Sequence, residues 1–200
     1  GNPLFGEGQI MSYPGERRKT LISTTGNLLL EVKFRTEPGH TGGFLLSKHD
    51  GESGYALYID DSGKVQFKIS DGDSNHIAGT STTVNDGDWH HVLAEVDRGT
   101  GRMTIYHNGK TDGELLSDLP GNHSIDTPAD FLVGRSGNAE EGFLVGAIDF
   151  MRVCHGTLED ARTDIGELYA WQYINGPHIF DMQGQPVKGE RRDAGALELK

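Results

Sequence analysis

The chain has 200 residues and a formal net charge of −12, with hydrophobic residues at 34% and 29 glycines. That acidity argues against nucleic acid or an anionic membrane as partner, because a phosphate binder needs a positive field. The single cysteine, Cys154, excludes an intrachain disulfide, and no apolar run approaches the ~20 residues that span a bilayer.

Low apolar content with abundant glycine suits many short strands joined by tight turns, and the length fits one undivided domain over residues 1–200. Residues 1–9 carry no basic region followed by an apolar stretch, so a signal peptide is either absent or already removed from this sequence. Residues 10–11 and 21–22 are short candidate strands around Pro14-Gly15. The first clean strand is predicted over 28–35, where Leu28, Leu30, Val32 and Phe34 alternate with Leu29, Glu31, Lys33 and Arg35. Residues 44–47 form a short strand after a glycine pair, and 55–59 with 65–69 form a hairpin across Asp60-Asp61-Ser62-Gly63. A weak, threonine-rich strand follows at 77–83.

Residues 86–110 read DGDWHHVLAEVDRGTGRMTIYHNGK and parse as two strands and two turns. His90, Val92, Ala94 and Val96 share one face, and Trp89, His91, Leu93 and Glu95 share the other. Asn108-Gly109 predicts a type I′ turn, which needs positive φ at both central residues. Residues 111–130 read as loop, and strand character resumes at 131–134 and 143–153. The one helical candidate spans 157–173, opened by a capping-box imitation, Thr157 with Asp160, and carrying Leu158, Ala161, Ile165, Leu168 and Trp171 at helical spacing. Residues 174–200 read as an extended tail. The whole predicts an all-β, two-sheet antiparallel sandwich with a core over about 28–156 and one C-terminal helix.

Two stretches carry a family resemblance. The block from Asp86 to Lys110, with its acidic-glycine turn, Trp-His-His-Val and closing Asn-Gly-Lys, resembles the central signature of laminin-G-like (concanavalin A-like) jelly-roll domains. Gly146-Ala147-Ile148-Asp149-Phe150-Met151-Arg152-Val153, followed by Leu158, resembles their closing strand. The ending Asp193-Ala194-Gly195-Ala196-Leu197-Glu198 looks like that of secreted bacterial proteins of polysaccharide metabolism. The resemblance implies a jelly roll, an extracytoplasmic home (secreted, periplasmic or surface lipoprotein) and a lectin-like function. A protein-interaction or structural module, appended to a sulfatase or hydrolase, is the alternative.

Hydrolases also use this fold, so catalysis needs a test. The laminarinase-type members place Glu-x-Asp-x-(x)-Glu on one strand, and here only the central Asp149 remains, with Ala147 and Met151 or Arg152 at the flanking positions. That dyad is absent, and no catalytic residue is assigned. A hydrolase whose carboxylates lie elsewhere would draw on Glu31, Glu95, Asp112 and Glu114. No His-Glu-x-x-His and no Gly-x-Ser-x-Gly occurs.

Sugar binding needs an aromatic platform with polar neighbours. The candidates are Trp89, with His91 and Glu95 at its parity, Tyr106 on the next strand, and Trp171 on the predicted helix, the last best suited to packing. For each aromatic, core packing is the competing reading. His90 fits a core-edge role, whereas His91 fits a surface contact. Calcium is the one cofactor with candidate ligands. Asp149 shares parity with Met151 and Val153 and should face inward, either bonded to loop amides or coordinating calcium. Asp71 and Asp73 have the Asp-x-Asp-x-Asn spacing that opens calcium loops, but His76 and Thr82 stand where glycine and glutamate would be, which also fits an Asx-rich turn.

Overall fold

Strands form wherever the sequence alternates, and a computed structural model describes them over residues 25–117, 123–136 and 142–173. In chain order they are β1 (Leu28–Thr36), β2 (Phe44–His49), β3 (Ser53–Ile59), β4 (Lys64–Asp71), β5 (Asn75–Thr83), β6 (His90–Asp97), β7 (Arg102–His107), β8 (Lys110–Leu116), β9 (Leu132–Val133) and β10 (Gly146–His155). One helix, α1 (Ile165–Tyr173), follows. The candidate strands at 10–11 and 21–22, the Trp171 side chain and the tail at 174–200 lie outside the described residues.

Two five-stranded antiparallel sheets result, ordered β10-β1-β6-β7-β8 and β5-β4-β3-β2-β9. Their inner faces carry the predicted apolar sets. Leu30, Val32, Phe34, Val92, Ala94, Val96, Met103 and Ile105 meet Tyr55, Leu57, Ile59, Val65, Phe67 and Ile69, all at most 1% exposed. The register Val32↔Val92 and Leu30↔Ala94 keeps apolar opposite apolar, which a one-residue slip would destroy. Asn108 (φ 48°) and Gly109 (φ 79°) make the predicted turn between β7 and β8.

Three expectations are corrected. First, residues 110–116 are a strand, β8, not loop. It is a sheet edge made of Lys-Thr-Asp-Gly-Glu-Leu-Leu, and such polar composition protects an exposed edge while hiding its alternation. Second, the helix begins at Ile165, not Thr157. Thr157 and Asp160 do bond reciprocally, Thr157 N to Asp160 Oδ2 at 2.9 Å and Asp160 N to Thr157 Oγ1 at 3.2 Å, but they close a single turn that Arg162 ends at φ 53°. Asp164 then caps α1, its Oδ1 accepting from Glu167 N at 2.8 Å.

Third, Asp149 does not face inward. The β1–β10 pairing runs Lys33↔Phe150 and then Phe34↔Ile148, so Asp149 is the extra residue of a β-bulge. The bulge reverses parity: Ile148 points to the core, and Asp149 is exposed with Oδ2 2.8 Å from Lys33 Nζ.

Candidate functional site

The outer face of the first sheet carries the residues that the sequence placed beside Trp89. Parity puts Leu29, Glu31 and Lys33 of β1 there, with His91, Leu93 and Glu95 of β6 and Thr104 and Tyr106 of β7. Residues 157–169 lie across this face. Leu158, with Ile165 and Leu168, packs on Leu29, Leu93, Tyr106 and Cys154, a second apolar cluster outside the main core. The predicted face is therefore covered along its middle and divided into parts.

His91 belongs to the covered part and is not a surface contact: it is 1% exposed, under the Tyr169 ring at 5.6 Å. Its Nε2 lies 2.7 Å from Glu31 Oε1, and Arg152 Nε donates to Glu31 Oε2 at 2.8 Å. Glu31 is fully buried, and this triad balances its carboxylate against the partly exposed guanidinium of Arg152. The sequence could not announce it, because its members lie 60 and 121 residues apart.

Trp89 stands alone at one end of the face, 42% exposed, with Lys33 Nζ 5.4 Å and Arg35 Cζ 5.2 Å from its ring centroid. Cations two apart on β1 thus meet one ring, a cation–π arrangement.

Glu95 and Tyr106 come together at the other end. Tyr106 Oη donates to Glu95 Oε1 at 2.8 Å, and Leu158 N donates to Glu95 Oε2 at 2.8 Å. Glu95 is 8% exposed, and it fastens residues 157–158 to the sheet. Desolvation first, then the bond to Glu95, holds the Tyr106 hydroxyl well above the ordinary phenol value, so it remains a donor.

That fastening opens a cleft of about 590 Å³ beside it. Arg102, Thr104, Tyr106 and Glu114 line its sheet side, Thr157, Leu158, Glu159, Thr163, Asp164 and Ile165 its helix side, and Asp97 and Thr100 contribute from the β6–β7 turn. Its size lies within the ~300–1,000 Å³ usual for small-molecule sites. Sequence reasoning reached Glu95 and Tyr106 but missed the threonines and Arg102, which carry no motif. The pairings Glu95↔Thr104 and Thr104↔Glu114 put both glutamates on one face two strand spacings apart, roughly 10 Å. Both oxygens of Glu95 already accept hydrogen bonds from protein groups, which commits it to structure.

The calcium candidates do not converge. Asp71 Oδ1 accepts from Asp73 N at 3.1 Å and Ser74 N at 2.8 Å, and its Oδ2 lies 2.8 Å from His123 Nδ1. This is an Asx turn at the β4–β5 hairpin, with Asp73 exposed. Asp149 lies on the other sheet and is engaged by Lys33. Among the described residues no three acidic, histidine or cysteine side chains are grouped to hold a metal ion, so these side chains do not fit calcium as arranged. No helix among the described residues is long and apolar enough to cross a membrane.

Comparison with known proteins places the chain among sandwiches of this kind. The profile described as "Concanavalin A-like lectin/glucanases superfamily" matches residues 23–162. A search of curated proteins gave no match. Among solved structures, mouse laminin alpha1 chain domains LG4-5 are similar at 22% identity and TM-score 0.53, over 68% of this chain and 39% of that one. The Ruminococcus gnavus IT-sialidase CBM40, bound to α2,3 sialyllactose, is similar at 17% identity and TM-score 0.54, over 74% and 83%. The binding domain of Paraclostridial Mosquitocidal Protein 1 is similar at 16% identity and TM-score 0.57, over 83% and 42%. The chain therefore spans about two fifths of the laminin and mosquitocidal chains and most of the CBM40. At these identities the likeness is one of fold.

Proposed function

The chain belongs to the concanavalin A-like lectin/glucanase superfamily, as a laminin-G-like domain, and from that premise we propose that it is a non-catalytic carbohydrate-binding module of an extracytoplasmic bacterial protein. The observation that carries this reading is the cleft beside Tyr106, of ligand size and lined by threonine hydroxyls, carboxylates and a guanidinium around one aromatic ring. Such groups offer the donors and acceptors that sugar hydroxyls need, and Tyr106 adds an apolar surface for a pyranose ring. The sialyllactose bound by the R. gnavus module supports a saccharide as ligand class. Here five carboxylates (Glu95, Asp97, Glu114, Glu159 and Asp164) line the cleft against the one guanidinium of Arg102. A neutral sugar suits that lining better than a sialylated one.

The non-catalytic reading rests on Glu95. A glycosidase acid needs a carboxyl oxygen free to reach the glycosidic oxygen, and both oxygens of Glu95 already accept from protein groups. Of the other carboxylates considered, Glu31 is buried and accepts from Arg152, and Asp112 accepts from Ser81 and Thr82. Glu114, the last of the four, lines the cleft.

A glycan array followed by calorimetry tests this. We expect a neutral oligosaccharide to bind, with Arg102→Ala and Glu114→Gln each lowering affinity at least tenfold and Trp89→Ala leaving it within twofold. Binding lost in Trp89→Ala but kept in both cleft variants would move the site to the Trp89–Arg35 end. No binding to any glycan would favour the protein-interaction reading.

A further inference from the structure

We propose that Asp86, His90, His107 and Asp112 form a pH-sensitive clasp that holds the β5 edge of one sheet to the β8 edge of the other and opens in acid. This device does not depend on the carbohydrate reading.

The four residues make one continuous line. His90 Nε2 lies 2.8 Å from Asp86 Oδ1, His90 Nδ1 lies 2.9 Å from His107 Nε2, and His107 Nδ1 lies 3.6 Å from Asp112 Oδ2. Asp112 continues the line across the sandwich. Its Oδ1 accepts from Ser81 N at 3.3 Å and from Ser81 Oγ, and its Oδ2 accepts from Thr82 N at 3.3 Å. Asp112 can do this because it is the extra residue of a bulge, with Ile105↔Gly113 on one side of it and Tyr106↔Thr111 on the other. The bulge turns its side chain off the sheet toward β5.

Two ring protons on a neutral pair satisfy both short contacts: His90 donates to Asp86 through Nε2, and His107 donates to His90 through its own Nε2. A further proton can enter only at His107 Nδ1. The histidine side chains are 6% and 9% exposed, so that charge would form out of water. Among the described residues the titratable groups facing His107 are His90, Asp112, Asp86 and, further off, His91. β1 offers His90 only the Phe34 ring at 6.0 Å, and β5 offers hydroxyls and amides.

Burial, then neighbouring His90, depresses the proton affinity of His107, with the two carboxylates opposing. An opened edge would hydrate the ring and restore its ordinary affinity. By linkage, protons then favour the open form, and stability of this edge falls as pH drops through the unfolded histidine value of about 6.5. Between pH 7.5 and 5.5 the open population should rise up to about tenfold.

Native-state hydrogen exchange, corrected for intrinsic rates, reads this directly. We expect protection of the Ser81 and Thr82 amides to fall up to tenfold between pH 7.5 and 5.5 while remaining below that of core amides such as Leu57, and His107→Gln to abolish the fall at Ser81 and Thr82. The wild-type protein supplies a second measurement that needs no variant: the His107 ring should titrate by NMR below about 6.5, where the fall in protection levels off. Protection at Ser81 and Thr82 that is flat with pH, a fall that His107→Gln leaves intact, or a His107 ring that titrates at or above about 6.5 would overturn the proposal.

Discussion

Glu31 is the residue on which the outer face of the first sheet depends most. Truncating one member of a buried, hydrogen-bonded charge set leaves the others uncompensated, at a cost of about 3–5 kcal/mol. Glu31→Ala leaves buried His91 and the partly exposed Arg152 without their shared carboxylate, and because Arg152 reaches solvent, urea denaturation should show a smaller loss, about 1–3 kcal/mol. A loss under about 1 kcal/mol would mean that the triad is hydrated. In the sequence Glu31 looked like an ordinary outward-facing position of a half-wet strand. Its parity was legible; the segment that covers it, more than 120 residues later, was not. His91 was misread for the same reason, since alternation assigns a side chain to a face without saying what lies on that face.

At the scale of elements, the strongest local signals became structure where they were expected. Asn108-Gly109 is the clearest case, and it has a second role. A Cβ on Gly109 would stand 2.9 Å from Tyr169 Cγ, so the turn must be bare for α1 to dock, and its φ of 79° disfavours any side chain. Gly109→Ala should therefore destabilise by more than about 1 kcal/mol and displace Tyr169 from His91, readable as a lower melting temperature with an altered His91 ring resonance. Unchanged stability would show that α1 contributes little at this point. What the sequence concealed at this scale were two bulges. Asp149 and Asp112 are each the extra residue of a bulged pair, and each points where a period of two says it should not. The first turns Asp149 outward, against Lys33. The second residue, read inside a loop, proved to tie the two sheets together.

For the whole molecule, the acidic composition has a consequence in stability. Asp50 is held below the ordinary carboxyl range by the Ser53 amide and the Thr127 hydroxyl, and Asp97 by the Thr100 hydroxyl and the Gly99 amide. Groups depressed in the folded state stabilise it fully above the unfolded value of about 3.9, and that contribution is lost as pH falls through the lower folded values. The melting temperature should accordingly drop below about pH 4, beyond the histidine effect near 6.5, and Asp97→Asn should blunt that drop. An acid limb identical in Asp97→Asn and wild type would count against this assignment. The same acidity, gathered at the cleft, is what directs the functional reading to neutral saccharides.

The sandwich itself was readable from alternation and turns, whereas the cleft was not, because it exists only once residues 157–165 cross the sheet and are fastened by Glu95. The measurement that tests the account most directly is therefore an NMR titration of the labelled protein with the neutral oligosaccharide selected on the array. Amide shifts confined to residues 102–106, Glu114 and residues 157–165 are predicted. Shifts centred on Trp89 or on the second sheet, or none with any saccharide, would contradict it.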